Sequence, residues 1–598
     1  MTSLKKSVSF LLCIIMLVCS FAVASPININ SETTRYGFIY ESGVNIRKDA
    51  TTNSESITKV SSVFVEVLGG KLDTKDEINP DTKKAYIWYS VSYTSSTTVY
   101  KGYVREDLIK IVEPTIDPEF EKQLEAFPDS YKPSLTLLHA LYPNWQFIAD
   151  KVPTNFSESV ALQDRLFYKL VQTDSKSWYS MRKGCYDWTD GKFIETDSGG
   201  WYGASREVIA FYMDPRNFLN PNDIYLYMKQ SYDADSQTVE GIEDLVDGTF
   251  LDAKVTDKND INYGKRYAEV IKAAGKQSKV NAYVLASTIL QEQGTKGATL
   301  SKGTTYKDKT VYNFFNFGAS GSNSTEVLNN GKKYAYEQGW FTPTDAIVQG
   351  AVKYGTNYIS IGQDTYFYKN YNVLEPDRIW HQYAQNAADS LSTSKFLKTT
   401  YMPKEEMPLQ FRIPVFEGLP EENSKLPAKS DKLNNYYFSD IKAEGLTPSF
   451  NRYTFDYSLS LEEDAKITVK CPSGAKYIGE KEYELKQGDN SIVLTIKSES
   501  GYTNDYTINV YAQNDCKLTI TTKTESAPTT DTKVKKGDTN GDGKITTSDL
   551  ANVRLHLLEL IKLKGDNLKG ADTNGDGKIT TSDLANVRLH LLGLINLK

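Results

Sequence analysis

Lys279–Gly297 reads KVNAYVLASTILQEQGTKG, and the interpretation of this stretch decides how the rest of the chain is organised. Ser278 can cap a helix whose apolar residues include Val280, Leu285, Ile289 and Leu290, and Gly294 supplies its stop. Leu285, Ile289 and Glu292 fall at i, i+4 and i+7, so the pattern lays the Glu292 carboxylate along the core-facing row, close to the helix end. A carboxyl half-buried there is desolvated, which raises its pKa. A carboxylic acid still protonated near neutral pH is what the leaving oxygen of a glycosidic bond requires. The competing reading is an ordinary exposed residue of a last helical turn.

Downstream come VYNFFNFGA (311–319), KKYAYEQGWFTPTDAIVQGAVKYGTNYISIGQDTYFYKNYNV (332–373) and WHQYAQN (380–386). Together with the helix, and in this order, these motifs resemble the glucosaminidases of glycoside hydrolase family 73, found in the major autolysins of Gram-positive bacteria. The resemblance runs over roughly residues 280–386. It implies a mainly α, lysozyme-like catalytic domain, placed at 237–397, with Glu292 as general acid. It also implies that Asn313, Phe315, Phe317 and Gly318 line the substrate groove, and that Tyr358 is the tyrosine of the late "YI" motif. Some members carry an acidic residue shortly after the "FG" motif, where this chain has Ala319, Ser320, Gly321 and Ser322. Glu326 is the nearest acidic candidate for a second catalytic carboxylate, with a solvated loop glutamate as the alternative.

At 598 residues the chain is too long for one core, and several domains are expected. Aromatics make up 12%, with 40 Tyr, which suits extracellular modules that stack on sugars, or reflects A+T-rich codon usage. A net charge of −7 offers no basic stripe for nucleic acid. Lys5 and Lys6, the apolar run from Val8 to Val23 and the Ala22-Val23-Ala24 site read as a secretory signal peptide over 1–24. Val18 before Cys19 is too large for a usual lipobox. The mature chain keeps Cys185, Cys471 and Cys516, an odd and scattered set that predicts no disulfide framework. No second long apolar run follows, so no transmembrane segment is expected and the protein is read as secreted, cell-wall or scaffold associated.

Residues 36–112 alternate short β-type runs with polar turns, which predicts a small barrel. Val44-Asn45-Ile46-Arg47, Trp88-Tyr89 and Gly102-Tyr103-Val104 resemble the motifs of bacterial SH3-like (SH3b) domains, many of which bind wall peptides. Residues 118–236 read as a helical extension preceding the catalytic domain. Within it His139, between Leu138 and Ala140, reads as a packed core residue, and Arg206 and Glu207 as a structural ion pair or groove residues. Proline-rich 398–432 reads as a linker. Residues 433–512 alternate again and resemble a cadherin-like β-sandwich, and 513–536, rich in Thr, Lys and Ser, reads as a second linker.

The tail carries an internal repeat. DTNGDGKITTSDLANVRLHLLELI (538–561) returns 34 residues later as DTNGDGKITTSDLANVRLHLLGLI (572–595), differing only at Glu559 against Gly593. Each copy offers oxygen ligands at the spacing a Ca²⁺ loop requires. In the first these are Asp538, Asn540, Asp542, Lys544 through its carbonyl, and Asp549; in the second, Asp572, Asn574, Asp576, Lys578 and Asp583. Position 12 is Asp and no helix precedes the first loop, so the pair resembles a type I dockerin (537–598). That resemblance implies two Ca²⁺ ions and a cohesin partner, with Thr547-Ser548 and Thr581-Ser582 at the partner-selecting positions. His556 and His590 read as surface or partner-facing residues.

The fold class expected is therefore multidomain: a small SH3-like β-barrel, a mainly α lysozyme-like catalytic domain, a β-sandwich and an all-α Ca-binding dockerin. The activity implied is an endo-β-N-acetylglucosaminidase cleaving peptidoglycan glycan strands. A muramidase or lytic transglycosylase, an endoglucosaminidase acting on N-glycans or chitin-type chains, and a non-catalytic wall-binding protein remain the alternatives.

Overall fold

A computed structural model describes residues 35–80, 82–95, 98–113, 117–165, 168–321, 323–401, 407–525, 535–541, 543–558 and 560–597. The signal-peptide segment 1–24 and the loop residue Asp542 lie outside the described residues. The chain divides into two compact units, Met1–Asn434 and Asn435–Lys598.

The first unit begins with strands β1 (Arg35–Ile39), β2 (Val44–Arg47), β3 (Ser56–Val60), β4 (Val63–Ile78), β5 (Ala85–Ser95), β6 (Thr98–Arg105) and β7 (Ile109–Val112). They form one sheet in the order β3-β2-β6-β5-β4-β1-β7. Period-two alternation places Val44, Ile46, Val65, Val67, Val91 and Val104 on the inner face, where they make a closed apolar cluster. Gly102 allows β6 to approach β2, since a Cβ there would lie 2.4 Å from the Arg47 carbonyl oxygen.

A second, much larger core takes in Phe38 and Val112 of the first sheet and residues from Phe120 to Phe416. The expected helical extension and catalytic domain therefore share one interior rather than packing as separate bodies. The stretch 118–236 also departs from the helical expectation. Helices Pro118–Leu124, Lys132–Leu141, Phe156–Gln163 and Arg206–Met213 alternate with short strands such as Gln146–Lys151, Leu170–Gln172 and Trp201–Gly203.

The expected linker 398–432 is not one. Gln410–Val415 is a strand paired in parallel with Gln146–Lys151, with Phe411 and Ile413 fully buried. The prolines that suggested a linker lack only the N–H; their carbonyls serve as acceptors. Pro414 O accepts from Tyr131 Oη at 3.1 Å, Pro420 O from Arg216 Nη1 at 2.8 Å and Pro427 O from Trp178 Nε1 at 2.8 Å. This strap carries the chain back across the residues that opened the unit.

The second unit contains two four-stranded sheets. One runs Asp440–Lys442, Ala465–Cys471, Cys516–Thr524, Glu482–Leu485; the other Asp456–Leu461, Thr503–Ala512, Gly488–Lys497, Lys476–Tyr477. The expected linker 513–536 is thus corrected: Cys516, Leu518 and Ile520 alternate into the core, making Cys516–Thr524 an interior strand of the first sheet. The tail folds as helices Thr547–Leu557, Gly565–Ala571 and Thr581–Leu591 around Val553, Ala571 and Val587. Cys185, Cys471 and Cys516 are buried free thiols. Among the described residues no helix is long and apolar enough to cross a membrane.

Candidate active site

The helix of the opening stretch is Ala282–Gln293. Its cap is Asn281, whose Oδ1 accepts from the N–H groups of Tyr283 at 2.8 Å and Val284 at 3.3 Å, whereas Ser278 closes the preceding helix, Tyr267–Ser278. Leu285, Ala286 and Ile289 are buried, and Gln293 continues their row. Glu292 is exposed, which corrects the half-buried expectation: the core-facing row at the helix end passes through position 293.

Gln293 builds the site from behind. Only 4% exposed, its Nε2 donates to Asn313 O at 3.0 Å, Phe314 O at 3.2 Å and Asn316 Oδ1 at 2.8 Å. Asn316 in turn donates through Nδ2 to Glu292 O at 2.8 Å and Glu292 Oε2 at 3.0 Å. Asn316 sits at φ +52°, a left-handed conformation that asparagine tolerates better than most residues. A buried amide, a strained loop asparagine and the carboxylate thus form one chain, and sequence reasoning missed its first two members.

Asn313 and Phe315, expected to line the groove, are buried. Asn313 is fully buried, donates to Phe317 O at 2.8 Å and accepts from Phe317 N at 3.1 Å, which ties the loop shut. The Phe315 ring fills the space left by Gly350, where a Cβ would lie 2.4 Å from it. Phe317 is half-buried and Gly318 exposed. Gly318 has φ +69°, and a Cβ there would meet the Tyr334 ring at 2.6 Å.

Tyr354 and Tyr358 lie on and just beyond the helix Pro343–Thr356, both half-buried. Burial raises the Tyr354 hydroxyl above its usual range against the hydrogen bond with Thr288, one helical turn before Glu292, and the charges of Tyr383 and Glu292 add to the rise. Burial, then Tyr383, raises Tyr358. The Tyr358 ring lies 4.9 Å from His381 and 5.7 Å from Tyr383, and Gln363 fixes the group by accepting at Oε1 from His381 Nδ1–H, 2.6 Å away, and donating its N–H to Tyr358 O at 3.0 Å. Trp380 is 61% exposed and Tyr383 65%, rings of the kind that stack on sugar faces. The WHQY stretch was the signal that could have named them.

Residues of the extension hold this aromatic loop. Lys169 is fully buried and donates to Asn370 O at 2.5 Å, Asn370 Oδ1 at 2.8 Å and Ala384 O at 3.1 Å, with its ammonium 4.4 Å over the Tyr371 ring. Burial lowers its pKa well below the usual lysine range, with Asp389 opposing. Leu170 adds bonds from its N–H to Gln385 O and from Ala387 N–H to its carbonyl.

Glu326 sits exposed in the first turn of Ser324–Glu337, its side chain laid over Gly321. Arg206 pairs with Asp164 at 3.3 Å, and Asp164 also holds Arg182, so the expected Arg206–Glu207 pair is replaced by an arginine–aspartate–arginine bridge. Burial pushes Glu207 up to about 7. His139 stacks on Phe120 at 4.0 Å and reaches Asp117 Oδ2 at 3.0 Å, in the packed interior that was expected for it.

In the tail, Asp538 turns the first loop by accepting from the N–H groups of Gly541 at 2.7 Å and Gly543 at 2.8 Å, and Asp572 does the same with Gly575 and Gly577 at the same distances. Asp549 and Asp583, expected as loop ligands, are buried and serve as caps. Asp549 accepts from Thr539 N and Thr546 N, both at 2.8 Å, and Asp583 from Thr573 N and Thr580 N, both at 2.9 Å. Burial raises the Asp583 carboxyl, but the bonds from Thr580, Thr573 and Asn574 outweigh it and leave the group below its usual range. Among the described residues no three acidic or histidine side chains converge on one point. The expected donors Asp538, Asn540, Lys544, Asp572, Asn574, Asp576 and Lys578 are nonetheless all oxygen donors, the set a hard cation takes. His556 and His590 each accept, through Nδ1, from a backbone N–H seven residues on, Leu563 and Leu597, both at 3.2 Å.

Residues 536–592 match the Dockerin type I domain. The chain is 32% identical over 217 residues to a Beta-N-acetylglucosaminidase of Bacillus subtilis, covering 36% of this chain and 22% of the relative. It is 30% identical over 162 residues to a Bifunctional autolysin of Staphylococcus epidermidis, covering 26% of this chain and 12% of the relative. It therefore spans about a fifth or less of the length of these relatives. A crystal structure of S. aureus glucosaminidase B aligns with a TM-score of 0.33 at 20% identity, covering 46% of this chain and 94% of that one. Residues 536–592 are thus a dockerin type I domain, of a class that binds calcium, and the same chain carries a segment similar to beta-N-acetylglucosaminidases and bifunctional autolysins.

Proposed function

We propose that this protein is a secreted peptidoglycan hydrolase, an endo-β-N-acetylglucosaminidase on a lysozyme-like scaffold. One observation carries the reading: the exposed Glu292 carboxylate is held by Asn316, one helical turn beyond the Thr288 that bonds Tyr354, in a chain that also exposes the Trp380 and Tyr383 rings. A sugar ring stacked on the exposed rings would meet a fixed acid at its glycosidic oxygen. Glu292 protonates the leaving oxygen. The substrate's own 2-acetamido group attacks the anomeric carbon, with Tyr358 positioning it, so Glu326 is not required as a nucleophile. The dockerin loops hold two Ca²⁺ ions and dock on a cohesin, and the N-terminal β-module contacts wall peptides.

The test is Glu292→Gln, which should lower turnover on purified sacculi by at least ~10²-fold while binding is retained. Borohydride reduction of a wild-type digest should yield N-acetylglucosaminitol at the new ends. A fully active variant would remove Glu292 from its role, and muramitol or anhydromuramic ends would make the enzyme a muramidase or transglycosylase.

A further inference from the structure

Lys369 lies on the short helix Tyr366–Asn370, and its charge has no part in the acid step described above. Its Nζ donates to Gln230 Oε1 at 2.5 Å, and Gln230 is a fully buried residue of the extension. The same ammonium stands 5.3 Å over the Tyr354 ring and 5.4 Å over the Tyr366 ring. The Lys369 carbonyl meanwhile accepts from Tyr383 N–H at 2.7 Å. Gln230 is itself tied to the start of the Glu292 helix, because its carbonyl accepts from Asn281 N–H at 2.8 Å. One lysine therefore meets Tyr354 on the long helix, the loop bearing Trp380 and Tyr383, and the segment that seats the Glu292 helix.

We propose that Lys369 is a positioning residue of the cleft: its ammonium, anchored on Gln230, holds the Tyr354 ring where its hydroxyl bonds Thr288, one helical turn before Glu292, while its carbonyl fixes Tyr383. The inference rests on the reading of Glu292 as the acid. A cation over an aromatic face is attracted to it only while charged, and the attraction grows where water is excluded. The groups facing Lys369 are Tyr354 from the long helix, Tyr366 from its own helix and Asp364 from the preceding turn. Asp364 is paired with Arg412, which leaves Gln230 as the direct anchor. Burial lowers Lys369 to about 8 against the pull of Asp364, so the clamp loosens within an accessible pH range. Its loss would free the Tyr354 ring that bonds the Glu292 helix at Thr288, and misplacement on the scale of an ångström costs about 10²-fold in rate.

The experiment measures kcat and KM against pH on soluble, un-cross-linked glycan strands for the full-length wild type, Lys369→Arg and Lys369→Met, with thermal midpoints alongside. The wild type should lose kcat above about pH 8. Lys369→Arg, charged throughout, should keep most activity and lack that alkaline limb. Lys369→Met should lose about 10²-fold in kcat at pH 6.5 with KM little changed. A wild-type kcat in Lys369→Met, or an unchanged alkaline limb in Lys369→Arg, overturns the proposal. If Lys369→Met does not fold, the Lys369→Arg profile alone decides. An inactive Glu292→Gln combined with wild-type Lys369 variants would sink this inference only, whereas an active Glu292→Gln would sink the reading beneath it.

Discussion

Replacing Gln293 by Met keeps the length and apolar stem of the side chain and removes its amide. In the native structure that amide satisfies two carbonyls, Asn313 O and Phe314 O, and one side-chain acceptor, Asn316 Oδ1. With Gln293 only 4% exposed, water cannot readily replace the lost donor. Each acceptor stranded in a buried site costs about 1–3 kcal/mol, so two carbonyls cost about 2–4 kcal/mol once partial relaxation is allowed. The third bond matters differently. Without it Asn316 can leave its left-handed conformation, and the carboxylate it holds swings free, which should lower kcat by about 10²-fold. All seven tryptophans lie in the first unit, so urea unfolding followed by tryptophan fluorescence reads that unit without interference from the sandwich or tail. The expected result is an earlier midpoint together with slow turnover. A lower midpoint at wild-type turnover would break the link from Gln293 through Asn316 to Glu292, and an unchanged midpoint would refute the energetic argument itself.

Two further outcomes follow from other parts of the molecule. Chelation by EDTA should unfold residues 537–598, seen as lost helical dichroism and protease sensitivity of the tail, while sacculus hydrolysis and the tryptophan transition stay unchanged, because uncompensated loop carboxylates repel one another; a tail that stays folded and protected in EDTA would contradict it. His139 is lowered by burial, with Asp117 opposing, so the unfolded chain takes up its proton first. Stability present above the unfolded value of 6.5 is then lost as pH falls toward the lower folded value, and the hydrogen-bonded Asp117, also lowered, adds its own loss only below 3.8. The thermal midpoint of the first unit should therefore drop between pH 7.5 and 5.5, and drop less in His139→Phe; equal slopes in both would reject the assignment.

The sequence made the local elements legible and left the long-range ones hidden. The helix bearing Glu292, the strands near 36–112, the strand alternation of the second unit and the repeated tail loops follow from periodicity and spacing, which act over a few residues. The strap at 410–430 could not be read that way, because its prolines and charges look like a linker until a distant strand uses its carbonyls. Glu292 and Gln293 show the same limit at finer scale. A one-residue error in helical phase exchanges the exposed acid for the buried amide, and only the packing of Leu285, Ala286 and Ile289 decides between them. Asn313 matched a motif, yet no motif says whether a residue faces the substrate or braces the wall.

The parallel pairing of Gln146–Lys151 with Gln410–Val415 joins residues 264 positions apart, as the bond between Gln410 and Gln146 side chains records. Such a contact closes a very long loop, and its entropy must be met before the pairing contributes anything. A chain emerging N-terminus first therefore holds its early strand open until some 260 later residues have appeared. The strands of 35–112 pair locally around their own apolar cluster and can close early, whereas the larger core must wait for its last segment to arrive.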